Sequence, residues 1–275
     1  MRLRNALAVV SLGLAFWGAL RAQRPFREYP AIEYGDFPVP SDFNQKTDWT
    51  RARLRYPDIT GYPSVARFYS NGEQFPGYWT MDYPRSDRHL LSGVKRLTRI
   101  DTRSAEQVVS LDGSDDIYNW PMLYAVEVGH WLLGDKEARQ LREYLLRGGF
   151  LMVDDFHGVD EWDVFVSSMR RVFPDRQIVD IPNEDPIFHT LYDLDERFQV
   201  PGAVYFRTGR TYENGGIEPH WRAIYDDKGR IMVAICHNMD LGDAWEHADN
   251  PRYPEKWTSL AYRLAMNYFV YDLTH

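Results

Sequence analysis

Three apolar runs in this chain stop abruptly in polar residues, and that pattern limits the possible folds more than any other feature. They are MLYAVEVGH, ending at Gly129 and His130; GFLMVDD, ending at Asp154 and Asp155; and IMVAICHNMD, ending at His237, Asn238 and Asp240. Short apolar runs bounded by turn residues read as buried strands, and strands buried on both faces belong to parallel sheets covered by helices. If these three lie parallel, their polar ends gather along one carboxyl edge, where open α/β sheets bind ligands.

Helical patterns fall between the runs. Leu90, Leu91, Val94 and Leu97 predict a helix from about Asp87 to Thr98, with Ser86 or Asp87 placed to cap its first amides. Asp135 opens a second helix with the stripe Ala138, Leu141, Leu145 and a stop at Gly148-Gly149. Trp162, Phe165, Val166 and Met169 mark a third. Trp257, Leu260, Ala261, Leu264, Ala265 and Tyr268 mark the last, at i, i+3, i+4, i+7, i+8 and i+11. Further strands are expected at Arg51–Tyr56, Gln107–Leu111 and Ile178–Ile181, a short hairpin within Tyr62–Trp79, and a brief helix near Pro186–Leu191. Residues 195–222 read as long loops or an inserted hairpin, and Leu241–His247 as a polar loop. Ala223–Tyr225, the turn Asp226-Asp227-Lys228-Gly229 and Arg230–Cys236 give a hairpin signal. The expected architecture is a three-layer α/β sandwich with a mostly parallel central sheet and an antiparallel edge hairpin.

The N-terminus has a different character. Arg2 and Arg4 precede an uncharged, mostly apolar stretch from Ala6 to Leu20, followed by Arg21-Ala22-Gln23, the layout of a signal peptide. That stretch is shorter than the roughly 20 residues that span a bilayer, so a cleaved signal is expected over residues 1–22, with an uncleaved anchor as the alternative. Residues 23–46 then carry Pro25, Pro30, Pro38 and Pro40 with no period, an extended lead-in that wraps the domain or tethers it. Residues 47–275 form the single α/β domain. No later run is long and apolar enough to cross a membrane, so a soluble periplasmic or secreted protein is expected. Without Arg2, Arg4 and Arg21 the formal charge moves from −8 to −11, which argues against nucleic acid and anionic membrane surfaces as partners.

A family resemblance rests on an ordered series of segments: WTRARLRYP, GYWTMDYPRSDRHLLSGVKRLTRID, YAVEVGHWLLGDKEARQLREYLLRGGFLMVDDFHG, MRRVFPDRQIVDIPNEDPIFHTLYDL, GRIMVAICHNMDLGDAWE and AYRLAMNYFVYDL. Over about residues 47–273 the chain resembles the bacterial domain of unknown function 4159 family. The resemblance implies a fold similar to the class I glutamine amidotransferase-like, flavodoxin-like superfamily. It does not carry amidotransferase chemistry across, because the chain has no G-x-C-x-G elbow. Cys236, the only cysteine, lies inside an apolar run and reads as a buried core residue; it also excludes an intramolecular disulfide.

Candidate chemistry concentrates at the strand ends. His130 suits a general base or metal ligand, or else fixes the turn after Gly129. Asp154 and Asp155 point to opposite faces if extended, so one is expected to bind loop amides near His157 while the other faces a ligand. His237, Asn238 and Asp240 complete the set. His130, Asp154 or Asp155, and His237 could hold zinc or manganese, although no H-x-H or H-E-x-x-H spacing is present. Asp82–Asp87 could receive an anion at a helix start beside Arg85, or simply cap it. No phosphate-loop motif occurs, so no nucleotide cofactor is indicated. Tyr78, Trp79, Tyr118, Trp120, Trp131, Trp162 and Trp245 are candidates for glycan stacking or for core packing. These features leave three expectations: binding of a small ligand, glycan or envelope protein at the carboxyl edge; a divalent-metal hydrolase; or a structural module of an envelope assembly with residues 23–46 as its docking arm.

Overall fold

The computed structural model describes residues 24–30, 37–59 and 75–275. The expected signal segment and most of the expected hairpin within Tyr62–Trp79 lie outside them. Among the described residues, seven strands form one sheet: β1 (Ala52–Arg55), β2 (Gln107–Ser110), β3 (Met122–Val126), β4 (Phe150–Asp154), β5 (Val179–Asp180), β6 (His220–Tyr225) and β7 (Ile231–His237). Their order is β2-β1-β3-β4-β7-β6-β5. The first five in that order are mutually parallel, while β6 runs antiparallel to both β7 and β5. Counted among themselves, the parallel strands follow the flavodoxin-like doubly wound order.

Helices cover both faces, as parallel strands require. They are α1 (Arg85–Leu97), α2 (Asp135–Leu146), α3 (Gly158–Val172), the short α4 (Val204–Thr208) and α5 (Leu241–Glu246), and α6 (Glu255–Thr274). Alternation along the strands divides the core in two. Met122, Tyr124, Phe150, Met152 and Cys236 pack with α1, α5 and α6. Leu123, Ala125, Leu151, Val153 and Ile235 pack with α2 and α3. Tyr78, Trp79, Trp120, Trp131 and Trp245 are buried in these cores, so packing rather than glycan stacking accounts for those rings.

Two local expectations are corrected. Leu241–Glu246 is a wholly buried helix rather than a polar loop, because Asp240 caps it by accepting from the Asp243 amide (2.7 Å) and Trp245 anchors it among core residues. Helix α1 starts at Arg85, and Pro84 at its cap position makes no side-chain cap bond. Asp87 therefore lies inside the helix and faces inward, toward β1.

That inward turn answers an unusual demand from β1. Ala52, Leu54 and Tyr56 enter the α2/α3 core, which sends Arg51 and Arg53 to the opposite face, where both are fully buried. Asp87 accepts from Arg51 Nη2 and from Arg53 Nε (2.8 Å). The Arg51 guanidinium also lies 4.2 Å from the Tyr124 ring centroid, a cation–π contact. The described parts of the lead-in wrap this side of the domain: Arg88 donates to Glu28 (2.8 Å) and to the Phe37 carbonyl (2.7 Å), and Lys95 pairs with Asp42 (2.6 Å). Because Asp87 is the carboxylate both buried arginines share, Asp87→Ala should cost roughly 3–5 kcal/mol of stability, measurable by urea denaturation.

Candidate functional site

Strand ends deliver carboxylates to one place. Asp82 precedes α1, Glu127 follows β3, Asp155 follows β4, and Asp240 and Asp243 follow β7. Together with Glu213, Glu246 and His247 they line a pocket of about 520 Å³, whose rim also carries Met81, Ala203, Val204 and Arg207. Asp82, Asp155 and Asp240 are all buried and offer oxygen atoms within 4.8 Å of one another; Asp243, Glu246 and the half-buried His247 form a second group of equally close ligand atoms, two oxygens and a ring nitrogen.

The backbone bends to achieve this. Asp82, Glu127 and Asp155 have φ of 57°, 52° and 54°, the left-handed region that side-chain-bearing residues usually avoid. Such positions cost on the order of 1–3 kcal/mol each and persist where surrounding structure imposes them. At Asp155 the left-handed conformation breaks the extended run directly after β4. Its carboxylate thus enters the crevice, whereas Asp154 stays on the strand face toward α5. Gly202 leaves room for the carboxylates to crowd: a Cβ there would lie 2.5 Å from Asp240 Oδ2, 2.8 Å from Glu213 Oε1 and 3.0 Å from Asp243 Oδ2.

Crowded, buried carboxylates resist ionisation. Burial and then Glu127, Asp82 and neighbouring aspartates hold Asp155 well above the usual carboxylate range. Asp240 is raised in the same way, by burial and then by Asp155, Asp243 and Asp82. Burial, with Asp243 and Glu127 nearby, pushes Glu213 up to about 7. Asp243 is the exception: burial opposes its charge, but hydrogen bonds from His247 and Asp240 and from the Ala203 amide bring it below its ordinary value.

The residues expected from sequence separate into distinct roles. Asp155 and Asp240 line the pocket. Asp154 lies beside it and fastens α5, with Oδ2 accepting from the amides of Leu241 (2.8 Å) and Gly242 (3.0 Å) and from Tyr124 Oη (3.2 Å). Burial raises it to about 7 despite those donors. His130 stands behind Glu127, with Nδ1 2.8 Å from Glu127 Oε2 and its ring stacked on Tyr78 at 3.9 Å. Gly129 allows α3 to approach, since a Cβ there would run into Glu161. His157 stands behind Asp155 (Nε2–Oδ1 3.2 Å), and burial drops it to about 3, so this ring is neutral. His237 contacts the Gly158 carbonyl (3.1 Å) beside Phe156 and Trp162, and Asn238 accepts from the Gly158 amide (2.9 Å). His130 and His237 are thus engaged in separate turns and do not meet at a shared centre.

Sequence reasoning passed over Glu127, Glu213, Asp243, Glu246 and His247, and treated Asp82 only as part of an anion-binding turn. Glu127 was visible as a lone charge in an apolar run, and Asp240, Asp243 and Glu246 share helical i, i+3 spacing. The left-handed turns that aim the carboxylates have no comparable signature.

The model of a family described as a domain of unknown function (DUF4159) matches residues 65–273. The chain belongs to this family. A search of curated proteins found no match. The matched span holds every pocket residue of this DUF4159 domain, and β1 lies just ahead of it. Among the described residues, no helix is long and apolar enough to cross a membrane.

The raised carboxylates make the stability of the DUF4159 domain depend on pH. An acid whose folded value exceeds its unfolded value binds more protons when folded, so stability falls as pH rises between the two. For Asp154 that window runs from 3.8 to about 7, and for Glu213 from 4.5 to about 7. Between pH 5 and pH 8 the metal-free melting temperature should fall in scanning calorimetry, and Asp155→Asn should flatten that dependence.

Proposed function

We propose that this chain is an exported domain whose acidic pocket binds a divalent cation and, through it, a small oxygen-rich ligand such as a glycan or a phosphorylated or carboxylated molecule. The observation that carries the reading is the buried trio Asp82, Asp155 and Asp240, whose oxygens lie within 4.8 Å of one another at the carboxyl edge. Three carboxylates are hard ligands suited to Mg²⁺, Mn²⁺ or Ca²⁺ rather than zinc. A cation also relieves the repulsion that, together with burial, holds Asp155 and Asp240 well above the usual carboxylate range. Arg207 at the rim suits an anionic group on the incoming ligand.

A hydrolytic reading has one observation in its favour: the trio faces a pocket that also carries Glu127 and Glu213, and Glu213, raised to about 7, is suited to moving a proton near neutrality. The doubly wound strand order supports kinship with the class I glutamine amidotransferase-like superfamily. Its cysteine chemistry does not follow, because Cys236 is sealed within β7 against Tyr268 and burial pushes its thiol well up. Export to the periplasm or beyond rests on the charged and apolar pattern of residues 1–22. An envelope-assembly role through a free arm has less support, since the described part of residues 23–46 packs on its own domain.

Calorimetric titration of the metal-free protein with Mn²⁺, Mg²⁺ and Ca²⁺ tests the reading. Saturable, stoichiometric binding of at least one of these ions is expected, weakened at least about tenfold in Asp155→Asn and Asp240→Asn. Asn at 240 retains a capping side chain for α5, so the second variant separates cation loss from helix loss. Absence of binding in the wild-type protein removes the proposal.

A further inference from the structure

Strand β1 contributes no residue to the acidic pocket, yet Arg53 within it and Tyr56 just after it reach the turns that build it. Arg53, fully buried, donates from Nη1 to the carbonyls of Trp79 and Met81, each at 3.0 Å. Those carbonyls belong to the turn that ends in Asp82 with φ of 57°. Tyr56 donates from its hydroxyl to the Val126 carbonyl at 2.6 Å and lies 3.1 Å from the Glu127 carbonyl, at the left-handed residue after β3. Burial and then Glu127 and Asp58 keep the Tyr56 hydroxyl well above its ordinary value, so it retains its proton and donates.

We infer that Arg53 and Tyr56 are positioning residues for the acidic pocket: Arg53 fixes the turn that presents Asp82, and Tyr56 fixes the turn that presents Glu127. Resting on the cation-binding reading above, this adds a specific origin for the pocket's geometry. Each donor grips main-chain oxygens in a turn that would otherwise relax out of the left-handed region. Arg53 is itself held by Asp87 through Nε and Nη2 (2.7 Å), so its grip on the turn is anchored to α1. A guanidinium suits this task because its fork can serve a carboxylate and two carbonyls at once, which a lysine ammonium on a flexible stem cannot match.

The test compares Tyr56→Phe and Arg53→Lys with Leu54→Ala in the full chain. Leu54 is buried on the same strand and its side chain has no polar atom to bond either turn, so Leu54→Ala lowers stability without removing a hydrogen-bonding clamp. Two readouts are taken: the Mn²⁺ dissociation constant, and amide hydrogen exchange without metal at residues 80–86 and 127–130. Tyr56→Phe is expected to weaken Mn²⁺ binding roughly tenfold and to accelerate exchange at 127–130. Arg53→Lys should do the same at 80–86, while Leu54→Ala keeps wild-type affinity within about twofold. If Arg53→Lys does not fold, Tyr56→Phe, which loses one hydroxyl, decides the matter. Affinity and local exchange in Tyr56→Phe equal to wild type, or equal losses in Leu54→Ala, overturn the inference. Should the wild-type protein bind no Mn²⁺, the cation reading falls, and the exchange comparison alone upholds or rejects the clamp.

Discussion

Mutual repulsion among buried carboxylates is the constraint around which this fold is organised. Asp82, Asp155 and Asp240 occupy a space where three full negative charges would repel strongly, with Glu127, Glu213 and Asp243 on the walls. Folding alone gains nothing from that arrangement. Burial and proximity hold Asp155 and Asp240 well above the usual carboxylate range, and three left-handed backbone positions add strain. Costs of this kind concentrate where a site is preformed for a ligand.

The surrounding structure offsets the cost in large part through main-chain bonds. Asp154 draws in the first amides of α5, and Asp240 caps the same helix. His157 and His130 back Asp155 and Glu127, each from a turn stiffened by its neighbours. Positive charge is concentrated one layer away, in Arg51 and Arg53, which share Asp87 and stack near Tyr124. Tyr124 links the two regions, since its hydroxyl donates to Asp154 while its ring faces the arginines.

Much of the fold was legible because its signals are local. Phe150–Asp154 is a strand with the bounds expected from its apolar run, and the stripe from Trp257 to Tyr268 falls within α6. The carboxyl edge was legible as a meeting place for Asp155 and Asp240, because strands that alternate with helices run parallel and so end at one edge. What escaped depends on dihedral choice and distant partners. A left-handed Glu127 leaves no mark in sequence, and six residues are too few for α5 to show a period. Asp87 resembled a cap because nothing local reveals that β1 turns two arginines toward it. His130 and His237 looked like partners in one site because both end strands, but a strand end fixes a position along the edge and not the direction of a side chain.

The trio of aspartates is proposed as a preorganised cation site. Anomalous scattering from crystals soaked in Mn²⁺ tests it most directly. One strong peak is expected between the carboxylates of Asp82, Asp155 and Asp240, at metal–oxygen bonding distance from all three. A pocket that shows no anomalous signal at saturating Mn²⁺, or a peak bound only by surface carboxylates, would contradict it.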